Sequence, residues 1–177
     1  MHRLFVAIRP PAAVRAALLA FMGGVPNARW QADDHLHLTL RFIGEVDRHR
    51  AEDIAAALLG VHFPSFALSL KGAGRFGQSG RNETLWIGVA PHDRLAALHK
   101  KIDQACVRAG VPSEGRSYLP HITVARLGRT AGATEPFLEA ASAISSEAFA
   151  VDNFCLYESE LGAGGPVYTI AERYRLG

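Results

Sequence analysis

The 177-residue chain is 49% hydrophobic and 20% charged, the proportions of an ordinary globular protein, with ample apolar material for one core. A net charge of +2 and a pI near 8.7 permit an anionic substrate but exclude a protein that coats long nucleic acid by charge alone. No stretch approaches the roughly 18 apolar residues of a membrane span, and Met1 to Ile8 is too short for a signal-peptide core before Pro10-Pro11 cuts it off. Cys106 and Cys155 belong to no CxxC pair and read as small buried apolar residues, so a cytoplasmic, reduced protein is expected.

Residues 3–9 alternate and run apolar, which predicts a strand. Pro11 suits the first turn of a helix with Val14, Ala17, Leu18 and Phe21 on one face, stopped by Gly23-Gly24. Residues 36–43 predict a second strand. Asp47 is placed to cap a helix striped by Ile54, Leu58 and Val61 and ended near Pro64. Residues 66–72 and 84–90 predict two strands joined by a Gly-rich loop from Gly72 to Arg81. Asp93 is placed to cap a third helix with Leu95, Leu98, Ile102, Ala105 and Ala109 inward and Gly110 as its stop. A strand at 121–127 and a short helix near Pro136–Ile144 follow. Two last strands, near 149–160 and 167–173, are joined by a turn, Gly162-Ala163-Gly164-Gly165-Pro166. Strands and helices in an order that does not strictly alternate predict an α+β fold, one domain over residues 1–177.

One pattern is written twice: His37-Leu38-Thr39-Leu40-Arg41-Phe42-Ile43-Gly44 and His121-Ile122-Thr123-Val124-Ala125-Arg126-Leu127-Gly128. The copies match at His, the next aliphatic, Thr, the following aliphatic and the closing Gly, and lie 84 positions apart, near half the chain. With eight His and six Thr, random placement gives about 0.3 His-x-Thr triplets, so two with the same flanks carry information. In a strand, residues i and i+2 share a face. Leu38, Leu40, Ile122 and Val124 therefore belong to the core, while each His–Thr pair faces a cleft.

If an approximate two-fold relates the halves, two imidazoles and two hydroxyls converge. Such a set suits a phosphodiester: one neutral imidazole takes a proton from water, one imidazolium gives a proton to the leaving oxygen, and the threonines bond the non-bridging oxygens. A strained cyclic phosphate needs no metal for this. A single copy would read as a half-buried strand segment with satisfied polar groups; two matching copies weigh against that. His35 and His37 share a face and suggest a zinc pair, but no Cys or third nearby His completes the set. Strict alternation also puts Arg41 on the cleft face as a phosphate candidate, and Phe5 and Tyr118 are candidates for stacking on a base.

At these residues the chain resembles the 2H phosphoesterase superfamily, and within it the RNA 2′,3′-cyclic phosphodiesterases first described as 2′-5′ RNA ligases. The likeness extends to Arg3-Leu4-Phe5-Val6-Ala7-Ile8, Gly74-Arg75-Phe76-Gly77, Leu85-Trp86-Ile87-Gly88-Val89 and Gly165-Pro166-Val167-Tyr168. The resemblance implies a bilobal fold with two antiparallel sheets around a central cleft, the lobes pseudo-symmetric. It implies hydrolysis of RNA 2′,3′-cyclic phosphate ends to 2′-phosphates, reversible as 2′-5′ ligation; from the residues themselves no metal or cofactor is expected, and a monomer is expected. His37 would be the proton donor and His121 the acceptor, with Thr39, Thr123 and Arg126 holding the phosphate. Arg126 stands five residues after His121, on the wrong face for plain alternation, so that role requires a bulge or strong twist after Val124. Two other functions remain to be separated: hydrolysis of small cyclic nucleotides or 2′-5′ oligonucleotides, and an RNA-end-binding module without turnover. Binding alone would be better served by Arg and Lys than by paired His and Thr.

Overall fold

The computed structural model describes residues 1–78 and 81–177. Among these, nine strands and four α-helices follow in the order β1 His2–Ile8, α1 Ala12–Phe21, β2 Arg29–Trp30, β3 Leu38–Val46, α2 Arg48–Leu59, β4 Phe66–Gln78, β5 Arg81–Ala90, α3 Asp93–Arg108, β6 His121–Leu127, α4 Glu135–Ser142, β7 Phe149–Val151, β8 Asn153–Gly162 and β9 Gly165–Arg175. The strands pair antiparallel along one path, β7-β4-β5-β6-β3-β1-β8-β9, with β2 laid against β6. The mixed α and β content is as predicted.

The helices cover one face of the sheet because their apolar stripes have nowhere else to go. Leu18 of α1, Ile54 and Leu58 of α2, and Leu95, Leu98 and Ile102 of α3 are fully buried with Leu38, Leu40, Ile87 and Ile122 of the sheet. Burying such a side chain is worth about 1.5–3 kcal/mol each. Asp47 caps α2 as expected, accepting the Arg50 amide at 2.8 Å. Asp93 does not cap α3; His92 holds that position, and the Asp93 carboxylate lies in the first turn, where the helix dipole favours it. Among the described residues no helix is long and apolar enough to cross a membrane.

Two predicted boundaries differ. The Gly-rich stretch from Gly72 is strand rather than loop: β4 continues to Gln78 and β5 begins at Arg81, while residues 79–80 of the predicted loop lie outside the described residues. Gly72 and Gly77 take positive φ, 74° and 91°, in the stretches where the β4–β5 register shifts, so the glycines mark irregularities within a long hairpin. The predicted strand 149–160 is two strands. Only Asp152 separates β7, which pairs with β4, from β8, which pairs with β1. One end of the sheet path, β7, is thus tied by a single residue to β8, the strand next to the other end, so the sheet must curl.

At its middle the path is narrowest. β3 and β6 meet antiparallel through the pair Leu38↔Ile122, the residues that follow the two motif histidines. When equivalent positions of two repeats are partners in an antiparallel pair, a local two-fold passes between them. Neighbours of a paired residue face each other across the ladder, so His37 falls opposite Thr123 and His121 opposite Thr39.

Candidate active site

His37 immediately precedes β3 and His121 opens β6, and both rings are anchored in the same way. The Nδ1 of His37 donates to the His35 carbonyl at 2.7 Å, and that of His121 donates to the Leu119 carbonyl at 2.7 Å. A carbonyl only accepts, so each neutral ring carries its proton on Nδ1 and keeps Nε2 free. Both histidines line a cleft of about 350 Å³ together with Thr39, Thr123 and Arg126. The core lies behind them: Leu38, Leu40, Ile122 and Val124 are buried, as the alternation predicts.

A β-bulge falls three residues after each histidine. β5 pairs Leu85 with Ala125 and Trp86 with Thr123, leaving Val124 as the extra residue; β1 pairs Val6 with Arg41 and Ala7 with Thr39, leaving Leu40. Each bulge inverts the faces beyond it. Val124 and Ala125 are both buried, and Arg126 returns to the cleft face. The bulge required for Arg126 is therefore present.

The same device corrects the reading of Arg41. Leu40 and Arg41 are both buried, and Arg41, 4% exposed, points away from the cleft. Its Nε donates to the Asp103 carboxylate at 2.7 Å, its other nitrogens donate to the Phe42 and Pro112 carbonyls, and Glu114 lies 3.9 Å away. Burial alone would raise the Asp103 pKa, but the Arg41 bond, with the Glu114 amide and Ser113 hydroxyl, holds it below the usual carboxylate range. Arg41 is a structural cation. Phe42, 60% exposed, takes the cleft position that corresponds to Arg126.

The two aromatic candidates are also differently placed. Phe5 lines the cleft but is 4% exposed, stacked on Tyr157 at 5.0 Å and 4.9 Å from the His37 ring, so its faces are taken. Tyr118 stacks on His99 at 4.2 Å and its hydroxyl donates to the Thr39 carbonyl at 3.0 Å, bracing β3 from behind. His35 also lines the cleft and packs on Tyr168 at 4.7 Å. Phe42 and Tyr168 went unnoticed as candidates, although Phe42 matches Arg126 in the repeat and Tyr168 lies in the segment shared with the family. On the other side, Phe76 lies 4.8 Å and Trp86 6.0 Å from the His121 ring. Gly74, opposite Trp86 across the hairpin, gives the indole its space: a Cβ there would meet the ring at 2.2 Å.

These surroundings set the charge of the pair. Burial, reinforced by the nearby charges of His35, Arg126 and His121 and only partly offset by the His35 carbonyl, lowers the His37 pKa to about 4. Burial likewise lowers that of His121, against the Leu119 carbonyl. With both values lowered, both rings of the free protein are neutral at pH 7. An anion bound between them would raise both values, because opposite charge favours the protonated form.

An α+β fold whose curled sheet presents two His-x-Thr pairs to one cleft is that of a two-histidine phosphoesterase. The chain belongs to the 2′-5′ RNA ligase superfamily, whose family model matches residues 7–163. It is 34% identical over 146 residues to the RNA 2′,3′-cyclic phosphodiesterase of Thermotoga maritima, covering 81% of this chain and 77% of the relative. It is 31% identical over 179 residues to the Escherichia coli protein of the same name, covering 99% and 97%. The crystal structure of E. coli LigT complexed with 3′-AMP superposes with a TM-score of 0.79 at 29% identity, over 99% of this chain and 98% of that one.

Proposed function

We propose that this protein hydrolyses 2′,3′-cyclic phosphate ends of RNA to 2′-phosphates, with His37 as proton donor and His121 as proton acceptor. The observation that carries the reading is the matched anchoring of the two rings, each held through Nδ1 with Nε2 free in one cleft. His121 Nε2 takes a proton from water as its oxygen attacks phosphorus. The bond from phosphorus to O3′ breaks, and His37 Nε2–H protonates that oxygen, leaving a 3′-hydroxyl and a 2′-phosphate. Thr39, Thr123 and Arg126 bond the non-bridging oxygens, where charge grows in the transition state. With a 5′-hydroxyl attacking phosphorus in place of water, the same steps form a 2′-5′ linkage. The relatives named RNA 2′,3′-cyclic phosphodiesterase and the 3′-AMP complex of LigT support this substrate class. The unit is one domain of two pseudo-symmetric lobes meeting at Leu38↔Ile122, acting as a monomer in the cytoplasm, in keeping with its two free buried cysteines.

The test is to incubate the protein with an RNA bearing a 2′,3′-cyclic end in EDTA and locate the product phosphate by NMR. A 2′-phosphate is expected. Among the described residues no three His, Cys, Asp or Glu side chains gather at metal-binding spacing, so turnover is expected to survive the chelator. Loss of activity in EDTA with recovery in zinc or manganese would sink the metal-free mechanism.

The depressed pKa values give a pH prediction. The active form has one ring protonated and one neutral, so in the free enzyme it peaks between the two values, both below 6.5. The kcat/KM profile is expected to be a bell with its maximum on the acid side of pH 6.5, falling as pH rises. The kcat profile should peak at higher pH, because bound phosphate raises both values. A kcat/KM maximum above pH 7 would contradict this.

A further inference from the structure

The antiparallel pairing of β2 with β6 sets Arg29 directly opposite Arg126. Residues so paired share a face with Cα atoms about 4.5–5.5 Å apart, and like charges there repel. Both arginines are exposed, and among the described residues neither meets a carboxylate. The orientation of β2 is fixed on both sides of Arg29. Trp30 turns to the other face and packs on Phe137 at 5.4 Å, while Gln31, two residues on, lines the cleft and its amide donates to the Val124 carbonyl at the bulge. Arg29 therefore stands on the cleft side, at the rim, one strand out from Arg126.

Two unpaired guanidiniums side by side cost stability unless an anion comes between or across them. The geometry points to Arg29 as the binding residue for a second phosphate of the substrate, the internucleotide phosphate on the 5′ side of the terminal nucleotide, while Arg126 holds the cyclic one. This assignment rests on the reading of the cleft as a cyclic phosphodiesterase and narrows its substrate class to chains rather than mononucleotides. Phosphate contacts of this kind position a strand without reading its sequence. The arrangement accordingly makes no demand on the penultimate base.

The experiment compares adenosine 2′,3′-cyclic phosphate, the dinucleotide ApA ending in a 2′,3′-cyclic phosphate, and that dinucleotide with its internal linkage replaced by uncharged methylphosphonate. Wild type should favour the natural dinucleotide over the mononucleotide by about tenfold in kcat/KM, the scale of one charge-assisted contact. Arg29→Ala should remove that preference, Arg29→Lys should keep part of it, and methylphosphonate should remove it from wild type with no further loss in Arg29→Ala. The slope of log kcat/KM against log salt for the dinucleotide should shrink by about 0.7 in Arg29→Ala. Its melting temperature at low salt should match or exceed that of wild type, since a repulsive pair is gone. A preference that persists in Arg29→Ala, or a loss equally large on the mononucleotide, overturns the assignment while leaving the cyclic-phosphodiesterase reading intact. Failure of wild type to turn over any of the three overturns that reading, and this one with it.

Discussion

His37→Ala and His121→Ala are each expected to reduce turnover of a cyclic-phosphate RNA end by about 10²–10⁴-fold, the range for loss of a general acid or base. The fold should survive, because the paired strands and the buried leucines behind each ring are untouched. Both rings are neutral at pH 7 in the free protein, so neither substitution leaves a buried partner charge behind. The doubly substituted protein should be little worse than either single one, since in the proposed mechanism donor and acceptor serve one transition state and their effects do not add. Circular dichroism and single-turnover rates suffice to check this. Retention of more than about a tenth of the rate in either single variant would refute the pairing.

The two motif arginines should separate cleanly, one in activity and the other in stability. Arg126→Ala removes a cationic donor from the cleft face and is expected to lower kcat/KM by about 10²–10³-fold, as for other transition-state oxyanion donors. Its melting temperature should barely move, because Arg126 is exposed. Arg41→Ala leaves Asp103 and the Phe42 and Pro112 carbonyls without their buried partner. Breaking one side of such a network costs about 3–5 kcal/mol, which for a chain of this size lowers the melting temperature by roughly 10 °C. Residual folded protein should keep a near-normal KM. The reverse pattern, activity lost at position 41 and stability lost at 126, would show that the bulges do not set the faces as described.

Much of this was legible in the sequence because strand alternation is a local property. The core positions after each histidine and the inner face of α3 follow from periods of 2 or 3.6, and the Asp47 cap from the preference of Asp for a helix start. What alternation does not encode is an interruption of itself. Alternation sends Arg41 to the cleft because nothing in His37-Leu38-Thr39-Leu40-Arg41 announces an extra residue at Leu40. The cleft-side position of Arg126 follows from the family resemblance and not from alternation. The aromatic positions failed for another reason: whether Phe5 or Tyr118 is open to a base depends on Tyr157 and His99, far away in sequence. The continuation of β4 past Gly72 was likewise hidden, since glycines that mark a bulge and glycines that mark a loop look alike in composition.

The paired bulges at Leu40 and Val124 make each motif behave like a message with a frameshift built in. Upstream of the inserted residue, odd positions counted from the histidine are written to the cleft; downstream, even ones are. Such a code tolerates spelling changes but not edits of length. Exchanging Val124 for another aliphatic preserves the frame, whereas inserting one more residue after it would send Arg126 into the core and bring Ala125 out in its place. The lining of the cleft is thus specified as much by how many residues stand between His121 and Arg126 as by what they are. Within these two strands, substitution leaves the faces as they are, whereas an added residue beyond either bulge exchanges them.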